Sequence, residues 1–420
     1  MKNSPKNRKK HHWDWLHAIV SGFFYYTLKP FFNLGFKLFH NLHYNYNGYK
    51  LPKGPLLFVS NHHSNYDGMY MDTMFYSRII HFVVNEEMFY NRLTSFFSGW
   101  ILGEIKRGMS PTDVSYIREL KRLVKKGRSI GLYAEGDISM FGDTLPVDKS
   151  LAKLAKMLDI PVVVMRITGA HLRAPRVANK ARRSKITYTI TDIIPQNEVR
   201  NMQLNTLYSR IVAGYSHHEN AWQHENMVKL GHARHRRAEW LELGLFRCPN
   251  CGQYQSLHCD DNDLYCDSCT FHTHVNQYSF FDYDDTQMGM PYPKFSDTSA
   301  WNDWQLEELY RDLSVISDPD QLIFSHDKIR FHTTKVGTFF RHKYTLGTIN
   351  LFCNRVELLN SKGRLIHTIP FDEEIIRCLV QYKDVYEIDR GDIRYRVWAH
   401  KRVFSGHLFV SATNYLRSKK

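Results

Sequence analysis

Two adjacent histidines stand a few residues ahead of an aspartate in the stretch NHHSNYD, residues 61–67. The apolar run before it, PLLFVS at 55–60, predicts a buried strand that turns into a helix at this point. A histidine at a helix N-terminus can take a proton from a hydroxyl group, and a carboxylate one turn later can fix its tautomer. Free backbone N–H groups at the same place favour anions, including the oxyanion of a carbonyl under attack.

The spacing alone leaves the choice of histidine open. Regular helical geometry would pair His63 with Asp67 at positions i and i+4, whereas His62 can reach Asp67 only from a capping position before the helix begins. In the simplest alternative, Ser60 or Asn61 caps the helix and both histidines are ordinary surface residues.

Short apolar runs alternate with helical stretches between residues 51 and 193. The predicted strands are 55–60, 79–84, 129–136 and 160–169, and the predicted helices are 115–127 and 149–158. Strands that alternate with helices predict an α/β fold with a mostly parallel sheet flanked by helices. A charged segment at roughly 201–243, predicted to be helical, closes this half of the chain.

Four stretches together resemble the motif blocks of a known family. NHHSNYD is similar to the N-H-x-S-x-x-D block of the glycerolipid acyltransferases, the PlsC-like lysophosphatidic acid acyltransferase family. GEIKRG at 103–108, YAEGDIS at 133–139 and IPVVVMRITG at 160–169 follow in the family's order. The resemblance covers roughly residues 50–195 and selects His62 as the base and Asp67 as its partner.

The resemblance implies an O-acyltransferase. The acyl group would pass from acyl-CoA or acyl carrier protein to the hydroxyl of a lysophospholipid, with lysophosphatidic acid giving phosphatidic acid as the expected case. His62 would deprotonate that hydroxyl, Asp67 would support the imidazolium, and helix N-terminal amides would receive the oxyanion. No Ser or Cys nucleophile is required, and the G-x-S-x-G motif is absent. Matching block positions imply a substrate-binding set, which consists of Asn61, Ser64, Lys106, Arg107, Glu135, Gly136 and Ser139.

The third block departs from the family's pattern. Ile138 stands where the family has an arginine that holds the acceptor's phosphate, and Asp137 replaces a threonine. Lys106, Arg107, Arg128 or the basic stretch 173–185 could supply the missing charge, although a solvated loop is the ordinary fate of such a stretch. Another lysolipid or hydroxylated lipid is therefore the alternative acceptor.

The cysteines indicate a metal site of structural type. Their odd number, seven, argues against a disulfide framework. Two C-x-x-C pairs predict a zinc ribbon at 244–275, and the four thiolate ligands would be Cys248, Cys251, Cys266 and Cys269. Because four protein ligands leave no open position, the zinc is assigned to folding.

The remaining chain divides by composition. Strand-like alternation followed by a helical pattern predicts a β-rich module with a closing helix at 321–420, of the β-roll or pleckstrin-homology-like kind. The other predicted segments are a basic tail with interfacial aromatic helices at 1–47, the acyltransferase domain at 48–243, and a linker with one short helix at 276–320.

The N-terminus predicts contact with a membrane surface. A basic stretch precedes LHAIVSGFFYYTL at 16–28, and Lys29-Pro30 interrupts the apolar run before it reaches the roughly 20 residues of a spanning helix. Basic residues followed by aromatic helical segments are typical of an element that lies in the bilayer interface. The cytoplasmic face of the membrane is therefore the expected location, and a pair of core helices is the equally weighted alternative.

The net charge of +14 also admits a rival class, a basic zinc-ribbon protein that binds nucleic acid. The ribbon itself argues against it. Four aspartates lie between Cys259 and Cys269, which makes a poor surface for phosphates. Nucleic acid is therefore not an expected partner, whereas acyl carrier protein is a possible one.

Overall fold

The computed structural model describes residues 22–23, 26–75, 78–89, 92–108, 115–178, 180–231, 236–283, 292–336, 343–400 and 403–419. These residues form two compact units. The first consists of Met1–Ser139, Asp143–Arg173 and Arg183–Glu219, and the second of Met140–Gly142, Ala174–Arg182 and Asn220–Lys420. Most of the predicted basic tail lies outside the described residues, and the domain boundaries drawn from the sequence stay predictions.

Seven strands form the sheet of the first unit: β1 (Leu42–Asn45), β2 (Leu57–Ser60), β3 (Ile80–Asn85), β4 (Ile105–Arg107), β5 (Ser129–Leu132), β6 (Val162–Thr168) and β7 (Ile186–Ile194). Their order is β1-β7-β6-β2-β5-β3-β4. The five strands from β6 to β4 run parallel, and β7 is antiparallel to β6. The predicted α/β fold with a mostly parallel sheet is confirmed.

Several α-helices lie in the described residues from 26 to 226, and those that pack with the strands cover both faces of the sheet. The α-helices of this range are α1 (26–40), α2 (Asp67–Met74), α3 (Arg92–Ser95), α4 (Ser115–Lys125), α5 (Ser150–Leu158), α6 (Ala170–Arg173), α7 (Gln196–Asn201), α8 (Leu204–Tyr215) and α9 (Glu219–Asn226). Successive residues of a strand face opposite sides. On β2, Leu57 and Val59 therefore pack with α4, α5 and α8, whereas Phe58 packs with α1 and α2.

The prediction of a helical segment at 201–243 is wrong beyond Asn226. The backbone takes positive φ at Met227, Arg236 and Trp240, with values of 47°, 66° and 63°, which no right-handed helix contains. The Gln223 side chain bonds the amide and the carbonyl of Val228, so it satisfies backbone groups that a longer helix would have used. One short 3₁₀ turn, Leu241–Leu243, follows.

The second unit begins with a small antiparallel sheet in the cysteine-rich region. Its strands are β8 (Leu257–Asp260), β9 (Asp263–Cys266), β10 (His272–Val275) and β11 (Phe281–Tyr283), in the order β11-β10-β9-β8. The predicted linker contains a 17-residue helix, α10 (Thr298–Ser314), which is longer than expected. Asp297 caps it by accepting from two amides, and its fully buried Trp301 packs in the same core as Cys248.

The C-terminal part is a second seven-stranded sheet, antiparallel throughout. Its strands are β12 (Phe324–Lys335), β13 (Thr345–Leu351), β14 (Arg355–Asn360), β15 (Leu365–Pro370), β16 (Ile375–Gln381), β17 (Val385–Arg390) and β18 (Ile393–Ala399). The order is β15-β14-β13-β12-β18-β17-β16. The closing helix α11 (Gly406–Ser418) places Leu408, Phe409 and Ala412 in the core of this sheet. The predicted β-rich module with a closing helix is confirmed.

Candidate active site

His62 lies in the loop between β2 and α2, ahead of the first helical residue. Its Nδ1 is 3.0 Å from Oδ2 of Asp67, the residue that starts α2. The His62 side chain is 22% exposed and the Asp67 side chain is fully buried. The arrangement leaves Nε2 of His62 for a proton transfer, and it is the capping geometry that the sequence pattern required for this histidine.

Asp67 also holds the backbone of the loop. Its Oδ2 accepts hydrogen bonds from the amides of His63, at 2.6 Å, and Ser64, at 2.8 Å, and the Ser64 hydroxyl donates to Oδ1. The sequence predicted that helix N-terminal amides would receive an oxyanion. That prediction is wrong for these two amides, because a carboxylate of the protein already occupies them.

A tyrosine supports the ring of His62. The ring centroids of Tyr133 and His62 are 4.5 Å apart with 24° between the planes, and the Tyr133 hydroxyl lies 3.2 Å from that of Tyr188. Burial, together with the charges around it, raises the pKa of Tyr133 well above its usual range, so its hydroxyl stays protonated. Sequence reasoning missed this role, although Tyr133 opens the third motif block.

Residues of the third block also form hydrogen bonds with the backbone of this loop. Glu135 accepts the His62 amide on Oε1 at 2.9 Å and the Leu145 amide on Oε2 at 2.7 Å, and burial raises its pKa. The amide of the buried Ser139 donates to the His62 carbonyl at 3.1 Å. Gly136 takes a φ of +74°, which glycine adopts without strain. The predicted substrate contacts of Glu135, Gly136 and Ser139 stay predictions.

The other predicted substrate residues lie in two places. Asn61 and Ser64 are buried in the loop itself, and the Asn61 side chain bonds both the amide and the carbonyl of Ile167 on β6. Lys106 and Arg107 are exposed on β4, the edge strand, which β5 and β3 separate from β2. Their contacts with a substrate also stay predictions.

The four predicted metal ligands are brought together. Their sulfur atoms all lie within 4.8 Å of one another, and the Cys248–Cys269 and Cys251–Cys266 pairs are each 3.7 Å apart. A tetrahedron with Zn–S bonds of about 2.3 Å has edges of about 3.8 Å, so the thiolate set fits zinc. The ion itself stays a prediction.

A buried group that the sequence reasoning did not find lies on the other side of the loop. His63 Nδ1 is 3.6 Å from Oε2 of Glu219, and His217 Nε2 is 2.7 Å from the same oxygen. Burial alone would raise the pKa of Glu219, but the hydrogen bond from His217 and the nearby ring of His63 outweigh it and lower that pKa to about 2. No local sequence signal marks Glu219.

Comparison with known proteins shows a similarity that includes this loop. Residues 40–168 match the sequence model of the family described as Acyltransferase. A 1-acyl-sn-glycerol-3-phosphate acyltransferase from Cocos nucifera is 29% identical over 115 residues, which make up 27% of this chain. This stretch spans only 37% of that relative's length.

One solved structure is also similar, the 1-acyl-sn-glycerophosphate (LPA) acyltransferase PlsC from Thermotoga maritima. It has a TM-score of 0.37 and 15% identity, over 51% of this chain and 82% of that chain. The match to the family model includes the loop of His62 and Asp67, the GEIKRG stretch and the Glu135 turn. The segment from residue 40 to residue 168 is therefore similar to the acyltransferase family.

Proposed function

We propose that this chain transfers a fatty acyl group from acyl-CoA or acyl carrier protein to the hydroxyl of lysophosphatidic acid, giving phosphatidic acid. The observation that carries the proposal is the 3.0 Å contact between His62 and Asp67 inside the segment that matches the acyltransferase family. The similar protein from Cocos nucifera bears the name of this activity.

The chemistry needs one base and no covalent intermediate. With Nδ1–H donating to Asp67, the lone pair of His62 Nε2 takes the proton of the acceptor hydroxyl. The oxygen attacks the thioester carbonyl, and the tetrahedral intermediate then expels the thiolate, which receives the proton from Nε2. Asp67 stabilises the imidazolium that exists between these steps, and the stack on Tyr133 fixes the plane of the ring.

Helix α1 supports placing the enzyme on the cytoplasmic surface of a membrane. One side is docked by Lys29, whose ammonium binds the Asp72 carboxylate and the carbonyls of Phe75 and Arg78. The other side exposes apolar residues, namely Phe31, Leu34, Leu38 and Phe39. Such a face suits the boundary between headgroups and acyl chains, where a lysolipid acceptor resides. Within the described ranges, the structure contains no helix with the length and apolarity to cross a bilayer.

A different lysolipid acceptor is the second candidate. Ile138 occupies the position of the arginine that the family resemblance would assign to the acceptor's phosphate, and it is half-buried. An apolar side chain cannot bind a phosphate, so a headgroup with less negative charge is compatible with this turn.

An assay of the full-length chain tests both candidates. Purified protein is incubated with labelled acyl-CoA or acyl carrier protein and a panel of lysolipids, beside His62→Gln and the matched control His43→Gln, which changes an exposed histidine. We expect transfer by the wild type and by the control, and a loss of about 10²–10⁴-fold in His62→Gln. No transfer to any lysolipid, or equal rates in all three proteins, would contradict the proposal.

A further inference from the structure

The loop that carries His62 is held on its far side by a carboxylate outside the matched segment. Glu219, the first residue of α9, is fully buried, and so is His63. Its Oε2 lies between the ring nitrogens of His63, at 3.6 Å, and His217, at 2.7 Å. Three buried polar groups therefore meet directly behind the catalytic loop.

This group has the composition of a metal site, because one ligand atom of each residue lies within 4.8 Å of the others. The hydrogen bonds of Asn61, however, indicate that this group binds no metal ion. Its Oδ1 accepts from the Ile167 amide and its Nδ2 donates to the Ile167 carbonyl, so Nδ2 faces His63 Nε2, at 3.4 Å, as a donor. In the neutral ring Nε2 must then accept, and Nδ1 carries the proton and faces Glu219 Oε2 at 3.6 Å, a polar contact longer than a hydrogen bond. A protonated ring nitrogen does not ligate a metal.

His217 connects Glu219 to a second segment of the chain. The His217 amide donates to the Thr144 hydroxyl at 2.8 Å, and the Thr144 amide donates to the His217 carbonyl at 3.0 Å. These two bonds fix the backbone of residue 217, so the His217 ring can hold Glu219 in one place.

The same segment leads back to His62. Leu145, which follows Thr144, donates its amide to Glu135, and the other oxygen of Glu135 accepts the amide of His62. The contacts thus form a continuous path that starts at His63 and returns to His62, the residue before it. Two carboxylates, the half-buried Glu135 and the buried Glu219, contact residues 62 and 63.

We propose that Glu219 is a positioning residue for the acyl transfer, an inference that rests on the proposed function. Through its contact with His63 Nδ1 it fixes the loop backbone and thereby the orientation of the His62 ring toward Asp67. Removing its charge weakens the hydrogen bond from His217 and the electrostatic contact with His63, which costs stability locally. A displacement of the base by about 1 Å can cost about 100-fold in rate.

The kinetic test compares Glu219→Gln with Glu225→Gln, the same change at an exposed position of α9. We expect kcat to fall about tenfold to a hundredfold in Glu219→Gln with KM within twofold, and no change in Glu225→Gln. His63→Gln should have a similar effect, and the double variant should be no worse than either single one, because both changes break the same contact. Additive losses would overturn the proposal. If Glu219→Gln does not fold, His63→Gln, which keeps the bond between Glu219 and His217, serves in its place.

A second measurement does not depend on activity. In protein labelled with ¹⁵N-histidine, the ring signals lost in His62→Gln identify His62. We expect a single Nδ1–H tautomer in the wild type and in Glu225→Gln, and a mixture of tautomers in Glu219→Gln. An unchanged His62 spectrum in Glu219→Gln would refute the positioning role, even if the wild type proved to have no transferase activity. Loss of one bound metal ion in Glu219→Gln, with the four ribbon cysteines intact, would refute the hydrogen-bonded arrangement.

Discussion

At the scale of single residues, Asp67 combines two roles that are separate in many sites. It orients His62 through Nδ1 and it accepts the amides of His63 and Ser64, all from a fully buried position. All three of these N–H groups meet Oδ2, whereas Oδ1 accepts the Ser64 hydroxyl. A carboxylate supplies both acceptors and a negative charge, and an amide supplies one acceptor and no charge.

We therefore predict that Asp67→Asn damages rate and stability together. The amide group lacks the charge that stabilises the imidazolium and forms weaker hydrogen bonds with the three N–H groups at Oδ2, so kcat should fall about 10²–10⁴-fold and the free energy of unfolding by about 1–3 kcal/mol. Single-turnover transfer and urea denaturation measure the two effects, with the exposed Asp392→Asn as the control. A loss of rate without any loss of stability would show that Asp67 does not hold the loop backbone.

The charges of His63 and Glu219 predict that their contribution to the free energy of unfolding is largest over a limited range of pH. Burial opposes the charge of Glu219, but the hydrogen bond from His217 and the nearby ring of His63 lower its pKa to about 2, below its unfolded value of 4.5. The stabilisation is therefore full above pH 4.5 and is lost as pH falls toward 2. Burial opposes the charge of His63, but Glu219, Glu135 and Asp67 raise its pKa above 6.5. That contribution is full below 6.5 and is lost as pH rises through the raised pKa.

We expect the wild type to exceed Glu219→Gln in free energy of unfolding by the most between pH 4.5 and 6.5, by an amount on the order of 3 kcal/mol. The difference should shrink at pH 3 and at pH 8.5. Urea denaturation at the three pH values measures it, with Glu225→Gln reporting effects of net charge. A difference that is the same at all three values would argue against a charged Glu219.

At the scale of elements, α1 is a helix with two different sides. Lys29 and Asn33 bind the end of α2 and the residues after it, while Phe31 and Phe39 are 71% and 76% exposed. Burying each ring in a bilayer interface would contribute about 1.5–3 kcal/mol at most. The polar contacts hold α1 against the end of α2, and the exposed aromatic side chains are accessible to a lipid surface.

We predict that Phe31→Ser combined with Phe39→Ser lowers binding to vesicles of phosphatidic acid and phosphatidylcholine by about 100-fold, because each ring contributes about tenfold. Sedimentation with the vesicles measures the partition coefficient. The matched control is Val315→Ser with Tyr382→Ser, which removes two exposed apolar side chains elsewhere in the chain. Equal binding by both double variants would show that the α1 face does not direct the protein to lipid.

The elements also show how far the sequence could predict the structure. The apolar runs of β2 and β6 and the helical period of α4 and α5 predicted elements within a few residues, because buried strands and amphipathic helices have distinct patterns. Strand β5 ends at Leu132, four residues early, because Tyr133 to Gly136 turn beneath His62. For the linker, only one short helix was predicted. The full length of α10 was missed because its polar residues weaken the apolar signal.

The candidate site was predictable only in part, for a related reason. The motif block singled out His62, whereas helical spacing alone left His62 and His63 open, and only the loop geometry shows which ring meets Asp67. Glu219 contacts His63 across a long separation in sequence, through tertiary packing that no local pattern encodes. The residues around a base are thus harder to predict than the base.

At the scale of the whole molecule, the second unit depends on a small core that includes two of the predicted metal ligands. Cys248 and Cys266 are buried in the same cluster as Trp301 of α10 and Leu257 of β8. A sheet of four short strands buries little apolar surface by itself, so a tetrahedral metal would contribute much of the free energy that orders this region.

We predict one zinc ion per chain, and its loss in Cys248→Ser. Hydrogen exchange followed by mass spectrometry should then show faster exchange across β8 to β11, because the thiolates and the metal join both C-x-x-C turns to this sheet. Exchange at β2 and α2 reports any general loss of structure, and Cys353→Ser, a change at a half-buried cysteine outside the cluster, is the control. Unchanged zinc content in Cys248→Ser, or a wild type that contains no zinc, would remove the metal from the account of the cysteine-rich sheet, and the order of that sheet would then have to come from the apolar cluster around Trp301.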